Sequence, residues 1–175
     1  LVPWRDAKIH VLTHALHYAS CVFEGERVYD GRIFKLREHT LRLADSAKKM
    51  GFEVPYDIAT LEQASQQVVA ANGIGDGYVR PLAWRGPEMM GVSAQHCRIN
   101  VAIAAWTWPA YFTPEARLKG IRMTRAIYDR PAPNTAPTQS KAAGLYMICT
   151  LSKHEAEAKG YDDALMLDYR GYLAE

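Results

Sequence analysis

Lys141 stands directly after a proline-rich loop, Pro131 to Ser140, at the point where an apolar spacing begins. Leu145, Ile148 and Ser152 follow it at plus four, plus seven and plus eleven, with Cys149 filling the turn between, a pattern that predicts one face of a helix. Ser140 suits the N-cap of that helix and Gly160 its end, while Lys153, Glu157 and Lys159 fall on the opposite side. An ammonium in the first turn would meet the positive end of the helix dipole, a repulsion of roughly 0.3–1 kcal/mol. That is too little to make a lysine nucleophilic, so desolvation has to supply the rest. Most lysines so placed simply snorkel away from a helix end, and the neighbourhood of Lys141 has to decide.

Other constellations are weaker. His10, His14 and His17 would share a helical face and could bind zinc, but Ile9, Val11 and Leu12 predict a strand there, and no glutamate stands where a His-Glu-x-x-His base would. Gly73, Gly75 and Gly77 precede a strand rather than open a helix, so they predict a helix stop and a turn, not a phosphate cradle. Ser140 beside Lys141 is simpler as a cap than as a catalytic partner, because adjacent helical residues point apart.

The elements that must hold Lys141 follow from the rest of the chain. Lys8 to Thr13 predicts a short strand and Ser20 to Asp30 a longer one interrupted by Gly25. Asp30-Gly31 then predicts a tight hairpin returning through Arg32 to Leu36. A helix over Arg37 to Met50 would bury Leu36, Leu43, Ala47 and Met50. A second, from Thr60 to Ala71, carries Gln63 in capping-box position. Gly77 to Trp84 and Arg98 to Trp108 are apolar and rich in Val, Ile and aromatics, which suits buried strands. After Pro109 to Pro114 the pattern restarts with a strand over Gly120 to Tyr128, the loop, the Lys141 helix, and a hairpin of Ala164 to Asp168 with Tyr172 to Glu175.

The whole chain has 175 residues, 49% of them hydrophobic and 23% charged, which is enough for a self-sufficient core. With 21 basic against 19 acidic residues and a formal charge of +2, nothing points to nucleic acid or an anionic membrane. Cys21, Cys97 and Cys149 form no Cys-x-x-Cys pair and suit a reducing cytoplasm rather than a disulfide framework. No apolar run reaches spanning length. The last hairpin stops in the middle of its second strand, and one helix on a short second segment would leave an apolar face open, so the chain is expected to continue past Glu175. The expected organisation is a small domain over 1–105, a linker over 106–116, and the first part of a larger domain over 117–175.

Four runs together, HALHYASCVFEG (14–25), REHTLRL (37–43), YVRPL (78–82) and APNTAPTQSK (132–141), strongly resemble the branched-chain amino acid aminotransferases, class IV enzymes of the fold type IV pyridoxal phosphate group. The resemblance covers essentially the whole chain in matching order. It implies an α+β fold, with a small N-terminal α/β sandwich domain and the beginning of a larger pseudo-barrel domain, and a chain truncated relative to the family at both ends. It implies pyridoxal 5'-phosphate as cofactor and a homodimer or larger homo-oligomer in the cytoplasm. The activity implied is transfer of the amino group between leucine, isoleucine or valine and 2-oxoglutarate, giving branched-chain 2-oxo acids and glutamate.

Residue by residue, Lys141 matches the family's Schiff-base lysine, anchor and general base together. Arg42 matches the phosphate-binding arginine, whose fork suits phosphate oxygens. Tyr146 matches the tyrosine on the cofactor phenolate oxygen, and Glu175 the carboxylate that keeps the pyridine nitrogen protonated. Phe23, Gly25, Tyr78, Trp108 and Tyr111 match positions lining the substrate site, and Tyr18 one expected to reach in from a partner subunit. Arg80, two residues from Tyr78 and so on the same strand face, matches the arginine that helps bind glutamate's distal carboxylate. Other class IV enzymes, the D-amino acid or amine transaminases and aminodeoxychorismate lyases, are the nearest alternatives. A histidine-metal hydrolase and a non-catalytic assembly protein are remote ones.

Overall fold

The computed structural model describes residues 1–109 and 112–175; Tyr111, one of the expected substrate contacts, lies outside the described residues. The chain forms two compact units, Leu1–Pro109 with Gln139–Gly144, and Ala110–Thr138 with Leu145–Glu175.

The first unit is built on a five-stranded antiparallel sheet. Strand β1 (Cys21–Phe23) and strand β2 (Glu26–Tyr29) are two halves of one run broken at Glu24-Gly25, as the glycine predicted. Asp30 and Gly31 both take positive φ, 48° and 71°, the geometry of the tight hairpin expected there, and lead into β3 (Arg32–Ile33). The two long strands β4 (Gly77–Arg85) and β5 (Ile99–Thr107) pair along their full length. The other edge of β4 receives both halves of the broken run, Cys21 opposite Trp84 and Glu26 opposite Val79.

The break explains how a proline sits in a central strand. The Pro81 carbonyl accepts from Glu24 N at 2.8 Å, so its missing N–H faces the interruption, where no regular partner waits.

Helices α2 (Leu36–Lys49) and α3 (Ile58–Ala71) cover the sheet, and their apolar spacing makes two core clusters. Leu43 and Ala47 of α2 pack with Val22, Ala83 and Phe52, whereas Val69 of α3 packs with Val28, Ile74 and Val79. Each fully buried valine contributes roughly 1.5–3 kcal/mol. The cap of α3 is Asp57, whose carboxylate accepts from Thr60 N at 2.7 Å, so the helix starts before the Thr60 expected from the capping-box pattern.

Two expectations fail in this unit. Lys8 to Thr13 forms no strand: Ile9, Val11 and Leu12 are exposed, and the first regular helix is α1 (His14–Tyr18). Apolar composition mimicked a strand where no neighbouring strand pairs with it. The second failure concerns Lys141. No helix begins at Ser140, because Ala142 bridges Val22 and the Lys141 carbonyl accepts from Phe23 N at 3.2 Å. Backbone taken up by β1 cannot be helical, and the dipole effect expected at Lys141 has no helix to produce it. A 3-10 turn over Ala143–Tyr146 follows, and α5 spans Met147–Ala158.

In the second unit α4 (Pro114–Lys119) is capped by Thr113, and β6 (Met123–Arg125) is shorter than the strand expected over Gly120 to Tyr128. β6 pairs in parallel with β7 (Asp163–Leu165), α5 lying on the crossover between them. The expected closing hairpin survives as a bridge between Leu167 and Leu173 around Gly171, whose φ is 89°. Backbone hydrogen bonds from Asp168 N to Tyr172 O at 2.7 Å and between Met166 and Glu175 close the hairpin, while β7 pairs with β6 ahead of it over Asp163–Leu165.

Candidate active site

Lys141 is tied down from two sides within the first unit. Its N–H donates to Ser46 Oγ on α2 at 3.0 Å, and its carbonyl is held by Phe23 on β1. Held in this way, the side chain lies over the Phe23 ring, with Nζ at 5.0 Å from the centroid. The Arg80 guanidinium shares that ring at 4.6 Å and stands 5.2 Å from the Tyr78 ring. An amine and a guanidinium on one aromatic surface form a site suited to a substrate that carries negative charge.

Arg80 is further constrained, since Nη2 donates to the Tyr78 hydroxyl at 3.1 Å while Nε is buried without a hydrogen-bond partner among the described residues. A buried cationic N–H with no acceptor is costly unless a ligand oxygen supplies one. The wall beside it is aromatic: Tyr78 meets Trp106 at 5.3 Å and Trp108 at 4.9 Å, and the two indoles stack at 5.6 Å. Gly25 is needed here, since a Cβ at that position would come within 1.8 Å of the Tyr78 hydroxyl oxygen. Trp106 lies opposite Tyr78 in the β4–β5 register, so cross-strand pairing rather than linear spacing brings it to the wall.

Arg42 projects from α2 onto the strand break. Its Nε and Nη2 both donate to the Glu24 carboxylate at 2.6 Å, and His39 Nδ1 lies 2.8 Å from the same group. Glu24 is fully buried, whereas the Arg42 side chain is half exposed, so a fixed carboxylate aims a guanidinium outward. Glu26 lies nearby with both carboxylate oxygens buried and without a partner among the described residues. Burial first, and then the Glu24 charge, push its carboxyl up to about 8.

In the second unit, Tyr146 precedes α5 and accepts at its carbonyl from Thr150 Oγ1 at 3.2 Å. Glu175 is fastened to Met166 by a pair of backbone hydrogen bonds, 2.8 Å and 3.2 Å long, and its Oε2 stands 3.3 Å from Arg130 Nη1.

The structure therefore gathers Lys141, Phe23, Gly25, Tyr78, Arg80 and Trp108 within one unit. Tyr18 stands apart, its ring on His14 at 4.5 Å and its hydroxyl donating to Met90 O at 3.0 Å. The histidines have separate partners as well: His14 between Ser20 Oγ and Gly91 O, His17 on Val11 O, and His10 accepting from Leu12 N. No metal-holding cluster of histidine, cysteine and acidic residues occurs among the described residues. Sequence reasoning missed Glu24, His39, Ser46, Trp106 and Arg27, whose Nη1 holds the Trp108 carbonyl at 3.1 Å. Glu24 and His39 lie within the 14–25 and 37–43 runs, which were their signal, whereas the spacing marked none of Ser46, Trp106 and Arg27.

The first unit thus sets an anchored lysine beside an arginine and an aromatic wall, groups whose chemistry suits an anionic ligand. Residues 21–175 match the class IV amino-transferases, and the chain belongs to that family. It is 46% identical over 175 residues to a probable branched-chain-amino-acid aminotransferase of Rickettsia conorii, covering 100% of this chain and 59% of that protein. The branched-chain-amino-acid aminotransferase of Pseudomonas aeruginosa is 42% identical over 179 residues, with 100% and 58% covered. The Escherichia coli branched-chain amino acid aminotransferase superposes with a TM-score of 0.93 at 42% identity, over 99% of this chain and 59% of that one. A branched-chain amino acid aminotransferase of T.th., solved with pyridoxamine 5'-phosphate, gives 0.94 at 43%, over 99% and 59%. The fold is thus the fold type IV one, and the chain spans about three-fifths of the length of the curated relatives it matches. Among the described residues no helix is long and apolar enough to cross a membrane.

Proposed function

We propose that this chain belongs to an enzyme that transfers the amino group of leucine, isoleucine or valine to 2-oxoglutarate, with pyridoxal 5'-phosphate as cofactor. One observation carries most of the weight: Lys141 Nζ and the Arg80 guanidinium lie on the same Phe23 ring, and Arg80 Nε is buried without an acceptor among the described residues. The aromatic wall suits an aliphatic side chain and Arg80 a carboxylate, so one pocket serves both substrates in turn. Relatives named branched-chain aminotransferases support this, as do structures of the T.th. enzyme solved with 4-methylvaleric acid and with N-(5'-phosphopyridoxyl)-L-glutamate.

In chemical type each residue suits one group of the cofactor: in the first unit an amine at Lys141 its aldehyde and a guanidinium at Arg42 its phosphate, in the second a phenol at Tyr146 its ring oxygen and a carboxylate at Glu175 its ring N–H. When bound, the cofactor supplies a sink for the electron pair left at the substrate Cα. Lys141 Nζ removes the Cα proton, and the backbone anchors on both sides of the lysine limit the positions its amine can take. Glu24, with His39 beside it, fixes the Arg42 guanidinium through its Nε–Nη2 edge and so sets the position from which Arg42 would meet the phosphate. Tyr78 and the indoles exclude water and set the side-chain wall. Arg80 receives the distal carboxylate of glutamate.

In the same proposal the protein is a cytoplasmic homodimer or larger assembly with Tyr18 acting across the subunit contact, organised as 1–105, 106–116 and 117–175. The three cysteines, all free, support the location.

Borohydride reduction of the holoenzyme followed by peptide mapping tests the core of the proposal. A pyridoxyl group is expected on Lys141, and a label elsewhere, or none, refutes it. Substrate choice is tested by Arg80→Met, measuring each half-reaction by stopped-flow absorbance. The kcat/KM for glutamate should fall roughly 100-fold, because the distal carboxylate loses its cation, while leucine stays within about threefold. Equal losses for both would remove Arg80 from the distal-carboxylate role.

A further inference from the structure

Glu175 does not act alone in the second unit. Arg130 reaches it from the stretch after β6, where the Arg130 N–H donates to Leu167 O at 2.8 Å and the residue bridges Asp168 in parallel pairing. The guanidinium Nη1 stands 3.3 Å from Glu175 Oε2, 3.5 Å from the Leu145 carbonyl and 3.6 Å from Cys149 Sγ. Cys149 Sγ in turn lies 4.0 Å from Glu175 Oε2. The Arg130 side chain is only 21% exposed against 52% for Glu175, so the cation is the more fixed partner.

Both side-chain contacts to Glu175, from Arg130 and from Cys149, fall on Oε2. The other oxygen, Oε1, accepts no hydrogen bond from the described residues and is the one available to an N–H donor. The Cys149 thiol is pushed up by burial and by the Glu175 charge, which leaves it an S–H donor to the carboxylate rather than a competing anion.

We infer that Arg130 is a positioning residue for Glu175: it holds Oε2, so that Oε1 is presented in one orientation to the protonated ring nitrogen of the cofactor. The inference rests on the proposed role of Glu175 and extends it to a residue to which neither the sequence motifs nor the cofactor donor set gave a part. An arginine at this distance has two opposed effects. It secures the negative charge opposite the ring N–H, and it withdraws electron density from the carboxylate, which limits how strongly Glu175 can pull on that proton. Without Arg130, Glu175 pulls harder from a looser position.

The test compares holoenzymes carrying Arg130→Gln, Arg130→Lys, Glu175→Ala and the Arg130→Gln/Glu175→Ala double change. Each is read by pyridoxal phosphate dissociation, by 15N NMR of ring-labelled cofactor across pH, and by half-reaction rates. Arg130→Gln should lower kcat roughly tenfold with little change in KM, weaken cofactor retention several-fold and move the ring-nitrogen titration. Arg130→Lys should recover most of the rate, since an ammonium restores the charge though not the fork. In the Glu175→Ala background Arg130→Gln should add nothing further, because a residue acting through Glu175 has no second route. Additive losses, or an unmoved ring-nitrogen titration in Arg130→Gln, overturn the inference while leaving Glu175 in place. If Glu175→Ala itself leaves cofactor retention and the 15N signal unchanged, the role of Glu175 falls instead. Should Arg130→Gln not fold, Arg130→Lys decides: a lowered kcat with the parent's ring-nitrogen titration overturns the inference, and a titration that follows kcat, both close to the parent's or both displaced, supports it.

Discussion

Replacing Lys141 with alanine is expected to lower transamination by roughly 10,000-fold while leaving the protein folded and still able to bind cofactor. The magnitude corresponds to the upper range for losing a positioned general base, here with the covalent anchor removed as well. Folding should survive because the lysine contributes through its backbone: its N–H holds Ser46 and its carbonyl holds Phe23, and alanine keeps both bonds. Cofactor affinity should drop but not vanish, since the Arg42 fork and the Glu175 carboxylate are untouched. Steady-state rates, thermal unfolding and equilibrium binding of pyridoxal phosphate measure the three parts separately. Retention of more than about a tenth of the activity would show that another group removes the proton. Collapse of the fold together with activity would show instead that the Lys141 side chain has a structural part.

The second large effect concerns stability. Glu26→Gln should stabilise the protein above about pH 8 and change it little near pH 5. The Glu26 carboxyl is pushed from 4.5 to about 8 in the folded chain, by burial and by the neighbouring Glu24 charge. Between those values the folded state holds a proton that the unfolded state has released, so stability falls as pH rises from 4.5 and levels off once 8 is passed. Glutamine has the shape of the protonated acid but cannot ionise, and it removes that fall. At about 1.4 kcal/mol for each pH unit of separation, discounted for relaxation around a buried charge, the gain at high pH should be about 3 kcal/mol. A domain of this size would then melt roughly 6–12 °C higher. Thermal unfolding of both proteins at pH 5 and pH 8.5 checks this. An equal change at the two pH values would mean that ionisation of Glu26 is not the cause. The group sits among charges that do not offset it directly: Glu24 is engaged by Arg42 and His39, and neither oxygen of Glu26 shares in that network.

Much of the first unit was legible from local chemistry. Asp30-Gly31 announced its hairpin because positive φ at both positions is cheap only for such residues, and the structure has 48° and 71° there. Leu43 and Ala47 announced the buried side of α2 because a four-residue step returns to one helical face. The paired strands Gly77–Arg85 and Ile99–Thr107 were visible in their β-branched and aromatic content. Failures came where the competing influence was distant. Residues 8–13 have strand-like composition and no strand to pair with. Ser140 and Gly160 bracket a plausible helix, yet the sheet claims residues 141 and 142 first.

The sequence by itself determined the family, through four runs whose identity and order do not depend on geometry, and with it the residue types available for amine chemistry. Tertiary structure decided how those residues act. It moved Lys141 from a helix onto a stretch bonded to β1 and α2, placed Arg80 and Lys141 on one ring, and set Glu24 under Arg42 from 18 positions away. It also joined Arg130 to Glu175 across 45 positions of chain. Periodicity reports which face a residue occupies along one element, whereas charge pairing and desolvation depend on which other elements arrive at that face. Those arrivals are set by sheet register, which is not written in the spacing of any single segment even where the break at Gly25 is.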